Sequence, residues 1–111
     1  MNFLINIDIG IWKFWSLYLK ETPNSITSQH LCVIRIPNRD RIFQALSEKG
    51  IETGVHYKPS TWYPMYKKYD RGDLVNTEQA YKEILSLPLH LGLTDDDVFK
   101  VCSVIKEFYA S

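Results

Sequence analysis

Residues 94–109 narrow the possible folds of this chain more than any other stretch. Val98, Val101, Cys102, Ile105, Phe108 and Tyr109 recur at i, i+3, i+4 and i+7 spacing, which places them on one face of an α-helix. Thr94 and Asp97 stand in capping-box relation ahead of that face. Asp95 and Asp96 put negative charge where the helix dipole is positive. A helix with one apolar face needs a second layer of structure to cover it.

The second layer is legible upstream. Residues 30–36 form an apolar run stopped by Pro37, which suits a strand buried on both faces. Asn38 offers an N-cap, Ile42, Phe43 and Leu46 share a helical face, and Gly50 marks the end of that helix. Residues 53–57 are short and β-prone. Residues 58–72 combine Pro59 and Pro64 with Trp62, Tyr63, Tyr66 and Tyr69, and imply one or two irregular helical turns. Asn76 with Gln79 reads as the start of another helix, with Ala80, Tyr81, Ile84 and Leu85 facing inward. Leu87, Pro88 and Leu89 read as a short extended piece at a sheet edge, because Pro88 has no N–H to give a ladder. At the N-terminus, Phe3, Ile5, Ile7 and Ile9 alternate like a strand, and residues 11–20 turn helical around Ile11, Trp15, Tyr18 and Leu19. Residues 21–29 read as a loop. The expected fold is an α/β domain of the α+β type. It is a two-layer sandwich, with about three strands in a small sheet and the helices on one side.

A chain of 111 residues makes one domain with one core. Thirteen basic residues balance thirteen acidic ones, so no long-range field gathers phosphate backbones, and nucleic acid is not the expected partner. Cys32 and Cys102 each lie in an apolar run and read as buried free thiols, too few for a metal site. Asp8 and Lys13 interrupt the apolar N-terminus, which has no basic leader and no uninterrupted span. Neither a signal peptide nor a membrane segment is expected, and the cytoplasm is the default location.

Residue types alone point to no strong catalytic motif. His30 opens the first strand, and His90 precedes the Gly92 turn, where bonding to a backbone carbonyl is the favoured role. Asp95, Asp96 and Asp97 are accounted for by helix capping. The segment from Gly50 to Tyr66 is different. Two glycines bracket a strand that ends in His56 and Tyr57, followed by a proline-pinned aromatic loop, and binding residues often sit in such a place. A loop packed down by its own aromatics is the plainer reading of the same residues.

Three ordered runs carry a resemblance. The first is Val33-Ile34-Arg35-Ile36-Pro37-Asn38-Arg39-Asp40, continued by Ala45-Leu46-Ser47-Glu48-Lys49-Gly50-Ile51-Glu52-Thr53-Gly54-Val55-His56-Tyr57. The others are Ile84-Leu85-Ser86-Leu87-Pro88-Leu89-His90 and Gly92-Leu93-Thr94-Asp95-Asp96-Asp97-Val98. Together they resemble the C-terminal small domain of the DegT/DnrJ/StrS sugar aminotransferases, over residues 11–109. The first ten residues match nothing in that family and read as an atypical N-terminal extension. The resemblance implies the small domain of a fold-type-I, pyridoxal-phosphate-dependent enzyme acting on nucleotide sugars. It further implies that His56 and Tyr57 are substrate-binding and face the cleft between domains, with both side chains partly exposed. The Schiff-base lysine and the phosphate contacts of that family belong to a large domain. No lysine here matches that residue, since Lys49, Lys82, Lys100 and Lys106 fall on helices. The expectation is therefore no cofactor and no catalytic residue in this chain, with a separate large domain or a homo-oligomer as partner. Phe3, Ile5, Trp12, Phe14 and Trp15 are the residues expected to drive self-association. Where many members carry a second histidine beyond the Val-His-Tyr run, this chain has Ser60, Thr61 and Trp62. The dehydratase branch of the family, which replaces the lysine with histidine, stays open beside the aminotransferase branch. A stand-alone binding module stays open beside both.

Overall fold

A computed structural model describes residues 22–28, 30–70, 72 and 74–110. The strand and helix expected between residues 1 and 20, and the apolar residues proposed to drive self-association, lie outside the described residues. In order along the chain come strand β1 (Cys32–Arg35), helix α1 (Arg39–Glu48), two 3-10 segments (Ser60–Trp62 and Pro64–Tyr69), helix α2 (Val75–Glu83), strand β2 (Ile84–Leu87) and helix α3 (Asp95–Ala110).

β1 and β2 pair antiparallel, with Cys32 opposite Leu87 and Ile34 opposite Leu85. Those four side chains share one face of the sheet and are all buried. Against them pack Ile42 and Leu46 of α1 and Val98, Val101, Cys102, Val104 and Ile105 of α3, which complete one hydrophobic core. Leu46, Ile42 and Ile105 are fully buried, and truncating such a side chain to Ala typically costs about 2–5 kcal/mol. From Val98 to Phe108 the inward face of α3 follows the sequence periodicity, with Val104 added to it, and the side chain of Tyr109 lies outside the described residues. Phe43, expected inward, is 41% exposed.

The helix ends show how far local chemistry specifies the fold. Thr94 N–H donates to Asp97 Oδ2 (2.9 Å) and Asp97 N–H donates to Thr94 Oγ1 (3.1 Å), which is the reciprocal box expected at the start of α3. Hydrogen bonding with Thr94, through its backbone first and its side chain second, holds the Asp97 carboxyl below its ordinary range. At the end of α1, Gly50 adopts φ +77°, Ile51 N–H reaches Leu46 O (2.9 Å) and Gly50 N–H reaches Ser47 O (3.0 Å). That is a Schellman motif, with Ile51 and Leu46 both buried in the core. Asn38 stands at the N-cap of α1 in a left-handed conformation, but its side chain makes no capping bond. The box expected at Asn76 does not form either. The N-cap of α2 is Leu74, two residues before Asn76, and Gln79 instead reaches Glu83 (2.6 Å).

Three expectations about the sheet are corrected. The first strand is four residues long and buried on one face only, since Arg35 is exposed and pairs with Glu83. Ile84 and Leu85 belong to β2 and not to the preceding helix. A four-residue apolar run satisfies either period, and pairing with β1 decides it. Finally, two strands form the sheet among the described residues, not three. The β-prone stretch around residue 54 contributes one bridge, in which Gly54 N–H donates to Ser86 O (3.1 Å) and Ser86 N–H to Gly54 O (2.7 Å). Extending that antiparallel ladder would require bonds at Pro88 or Ile84. Pro88 has no N–H, Ile84 N–H is bonded to Ala80 O, and Ile84 O accepts from Arg39 Nη1 (3.0 Å). Both directions are closed.

Among the described residues no helix is long and apolar enough to cross a membrane. No group of three or more His, Cys, Asp or Glu side chains among them is placed to hold a metal ion. Cys32 and Cys102 are buried free thiols. Burial, and secondarily the neighbouring Cys102, pushes the Cys32 thiol up to about 12.

Candidate functional site

His56 and Tyr57 follow the single bridge at Gly54, on the edge of β2 away from β1. His56 Nδ1 lies 2.9 Å from Ser86 Oγ. Ser86 occupies the middle of β2 and is 5% exposed, although it lies on the sheet face opposite the core. Sheet register therefore delivers a polar side chain to a covered position, and the imidazole is what covers and satisfies it. The His56 ring also meets the Tyr57 ring edge-on, with centroids 4.9 Å apart at 86°. His56 is half-buried and Tyr57 is 71% exposed, so both reach solvent, as expected. His56 nevertheless has a structural bond that the sequence did not reveal. The His56–Tyr57 peptide bond is cis.

A cavity of about 340 Å³ opens beside this pair, lined among others by His30, Thr53, His56 and Ser86. Thr53 Oγ1 is buried and has no hydrogen-bond partner among the described residues. His30 is exposed, with Nδ1 3.0 Å from Ser28 Oγ. A second, larger cleft of about 500 Å³ lies between the end of α1 and the start of α3. It collects Glu52, His90, Asp97 and Lys100. Here Asp97 is committed to the cap of α3. His90 Nδ1 accepts the Gly92 N–H (3.1 Å), not the carbonyl bond expected for it.

The proline-pinned stretch beyond Tyr57 forms the two 3-10 segments, as the prolines implied. Trp62 is anchored edge-on against Tyr81 at 5.3 Å, and Lys58 Nζ sits 5.0 Å from the Tyr63 ring centre. Met65 and Tyr69 remain largely exposed, so this loop is only partly packed down by its own aromatics. Sequence reasoning missed two residues that organise the region. Ser86 lay hidden in an apolar run. Arg39, given no role of its own in the sequence reading, is 7% exposed and donates to the carbonyls of Tyr81 (2.9 Å) and Ile84 (3.0 Å). No local signal marks either residue. Both are defined by partners thirty or more positions away.

Comparison with known proteins places this geometry in a lineage. A model of the DegT/DnrJ/EryC1/StrS aminotransferase family matches residues 13–106. An uncharacterized protein of Methanocaldococcus jannaschii is 37% identical over 73 residues, which is 63% of this chain and 19% of that protein. Among solved structures, the aminotransferase TlmJ from Streptoalloteichus hindustanus superposes with a TM-score of 0.85 at 26% identity, covering 98% of this chain and 30% of that one. The putative sugar aminotransferase Spr1654 from Streptococcus pneumoniae, solved in PMP and PLP forms, superposes with a TM-score of 0.77 at 28% identity, covering 96% and 29%. The chain thus spans less than a third of the length of each of these proteins. With the motifs, the fold and the match over residues 13–106 in agreement, the chain belongs to the DegT/DnrJ/EryC1/StrS aminotransferase family.

Proposed function

We propose that this chain is the C-terminal small domain of a nucleotide-sugar aminotransferase, that it does not transaminate alone, and that His56 and Tyr57 are its contribution to the substrate cleft. The observation that carries this reading is a family match along almost the whole chain, set against coverage of less than a third of the solved relatives. The exposure of Tyr57 and the cavity beside His56 support the assignment of those two residues.

Spr1654 has PLP and PMP forms. Among the described residues, the groups in the two cavities do not fit such a cofactor. Holding it covalently requires a lysine beside donors for a phosphate and a partner for the ring nitrogen. The larger cleft sets Lys100 beside the carboxylates of Asp97 and Glu52, which repel a phosphate. Lys58 rests over the Tyr63 ring. No step through the cofactor is therefore derived for these residues.

The test is direct. The purified chain is incubated with pyridoxal phosphate, desalted, treated with borohydride and mapped by peptide mass spectrometry. The expected result is no single lysine carrying the adduct, and no amino transfer to a keto-sugar nucleotide until the large domain of a family member is added. A stoichiometric adduct on one lysine of the isolated chain sinks the proposal.

One observation favours a second reading. Tyr57, Met65 and Tyr69 lie within a short stretch and are mostly exposed, a surface suited to contact with another protein. On that reading the chain is a stand-alone interaction module. Sedimentation at rising concentration, with and without the large domain, separates the two.

A further inference from the structure

We propose that Ser86 and Gly54 are positioning residues for His56, seating its imidazole so that Nδ1 is tied down and Nε2–H is presented to an oxygen of the bound ligand. This rests on the reading of His56 as a ligand contact.

The argument starts from the Ser86 hydroxyl. It is buried, and His56 Nδ1 at 2.9 Å is its hydrogen-bond partner among the described residues. A buried hydroxyl whose proton finds no acceptor is unfavourable, so the Ser86 O–H donates and Nδ1 accepts. A neutral imidazole carries one proton, and with Nδ1 accepting, that proton sits on Nε2. The serine thus selects the tautomer as well as the orientation.

Gly54 supplies the floor. A Cβ on Gly54 would lie 2.9 Å from His56 Cε1, closer than real contacts allow, so the ring rests on a bare Cα. Two backbone hydrogen bonds join Gly54 to Ser86, so floor and tether move as one piece. The Tyr57 ring edge closes a third side. Three contacts leave the imidazole little freedom to turn, and Nε2 has no hydrogen-bond partner among the described residues. The ring lines the same cavity as Thr53, whose Oγ1 is also unpartnered. A fixed N–H donor selects a ligand oxygen, such as the hydroxyl, keto or phosphate oxygens of a sugar nucleotide, and disfavours an ammonium group.

The experiment uses the ¹⁵N-labelled 111-residue chain and long-range ¹H–¹⁵N spectra of its imidazoles at pH 8, compared among wild type, Ser86→Ala and Ser86→Thr. In wild type we expect His56 Nε2 protonated, Nδ1 unprotonated, and a cross-relaxation contact between His56 Hε1 and the Gly54 Hα protons. Ser86→Ala should lose that contact and average the two nitrogen shifts. Ser86→Thr, which keeps the hydroxyl, should restore both. A wild-type proton on Nδ1, or a Ser86→Ala spectrum with the ring contact and tautomer unchanged, overturns the proposal. A titration with UDP-N-acetylglucosamine forms the second arm. Ser86→Ala should weaken the response of His56 about fivefold, the worth of one ordinary hydrogen bond. If wild-type His56 shows the expected ring state and yet no response to the nucleotide sugar, the ligand-contact reading fails while the seating geometry stands.

Discussion

Replacing Arg39 by Met keeps most of the apolar stem and removes the guanidinium. In the folded chain Nη1 donates to the carbonyls of Tyr81 (2.9 Å) and Ile84 (3.0 Å), at the point where α2 ends and β2 begins without a loop between them. The guanidinium also lies 5.2 Å from the Tyr81 ring centre. Hydrogen bonds to a charged group contribute about 1.5–3 kcal/mol each, so two set a ceiling of about 3–6 kcal/mol. Water entering the vacated space recovers part of that, and the expected loss is about 2–4 kcal/mol. The neighbouring ion pair is a built-in control. Asp40 accepts from Arg39 Nε at 2.7 Å, but its side chain is 92% exposed, and exposed pairs contribute about 0–1 kcal/mol. Urea unfolding followed by circular dichroism, with the slope checked for constancy, measures both variants. Arg39→Met should shift the midpoint several times further than Asp40→Asn. Equal shifts, or a loss below about 1 kcal/mol for Arg39→Met, would refute the claim that this arginine acts by capping α2 and pinning it to α1.

His56→Ala should cost about 1–3 kcal/mol in the same assay, because it strands the buried Ser86 hydroxyl, whereas Tyr57→Ala, at an exposed position, should stay within about 0.5 kcal/mol. A His56→Ala loss as small as that of Tyr57→Ala would show that Ser86 finds another partner. Cys32 should resist a thiol reagent at pH 8 until the chain unfolds, since burial pushes its thiol up to about 12; native-state labelling as fast as for a free thiol counts against the core described. Stability should also decline on the acid side. The Arg35 and Gln79 contacts lower the Glu83 carboxyl, and the Thr94 bonds lower that of Asp97. The unfolded chain therefore binds protons first as pH drops through about 4, and the contribution is lost as pH falls on through the folded values. Glu83→Gln with Asp97→Asn should flatten that limb; an unchanged slope contradicts the linkage.

What the sequence determined by itself was whatever depends on neighbours a few residues apart. The box at Thr94 and Asp97, the apolar face of α3, the stop at Gly50 and the irregular turns after Pro59 are all set by bonds spanning at most one or two helical turns. The family was legible for a related reason, because its motifs keep their order and spacing along the chain. Tertiary structure alone decided the rest. Ile84 and Leu85 fit a helix or a strand equally well until β1 lies beside them. The stretch around Gly54 is β-prone, yet Pro88 on one side and Arg39 on the other leave it a single bridge. Ser86 reads as an interruption in an apolar run until sheet register carries it to the face opposite the core, beneath an imidazole thirty residues earlier in the chain. In each case the deciding partner is distant in sequence. A buried polar atom must be satisfied by whatever the fold brings within about 3 Å of it, and no local pattern encodes which residue that will be.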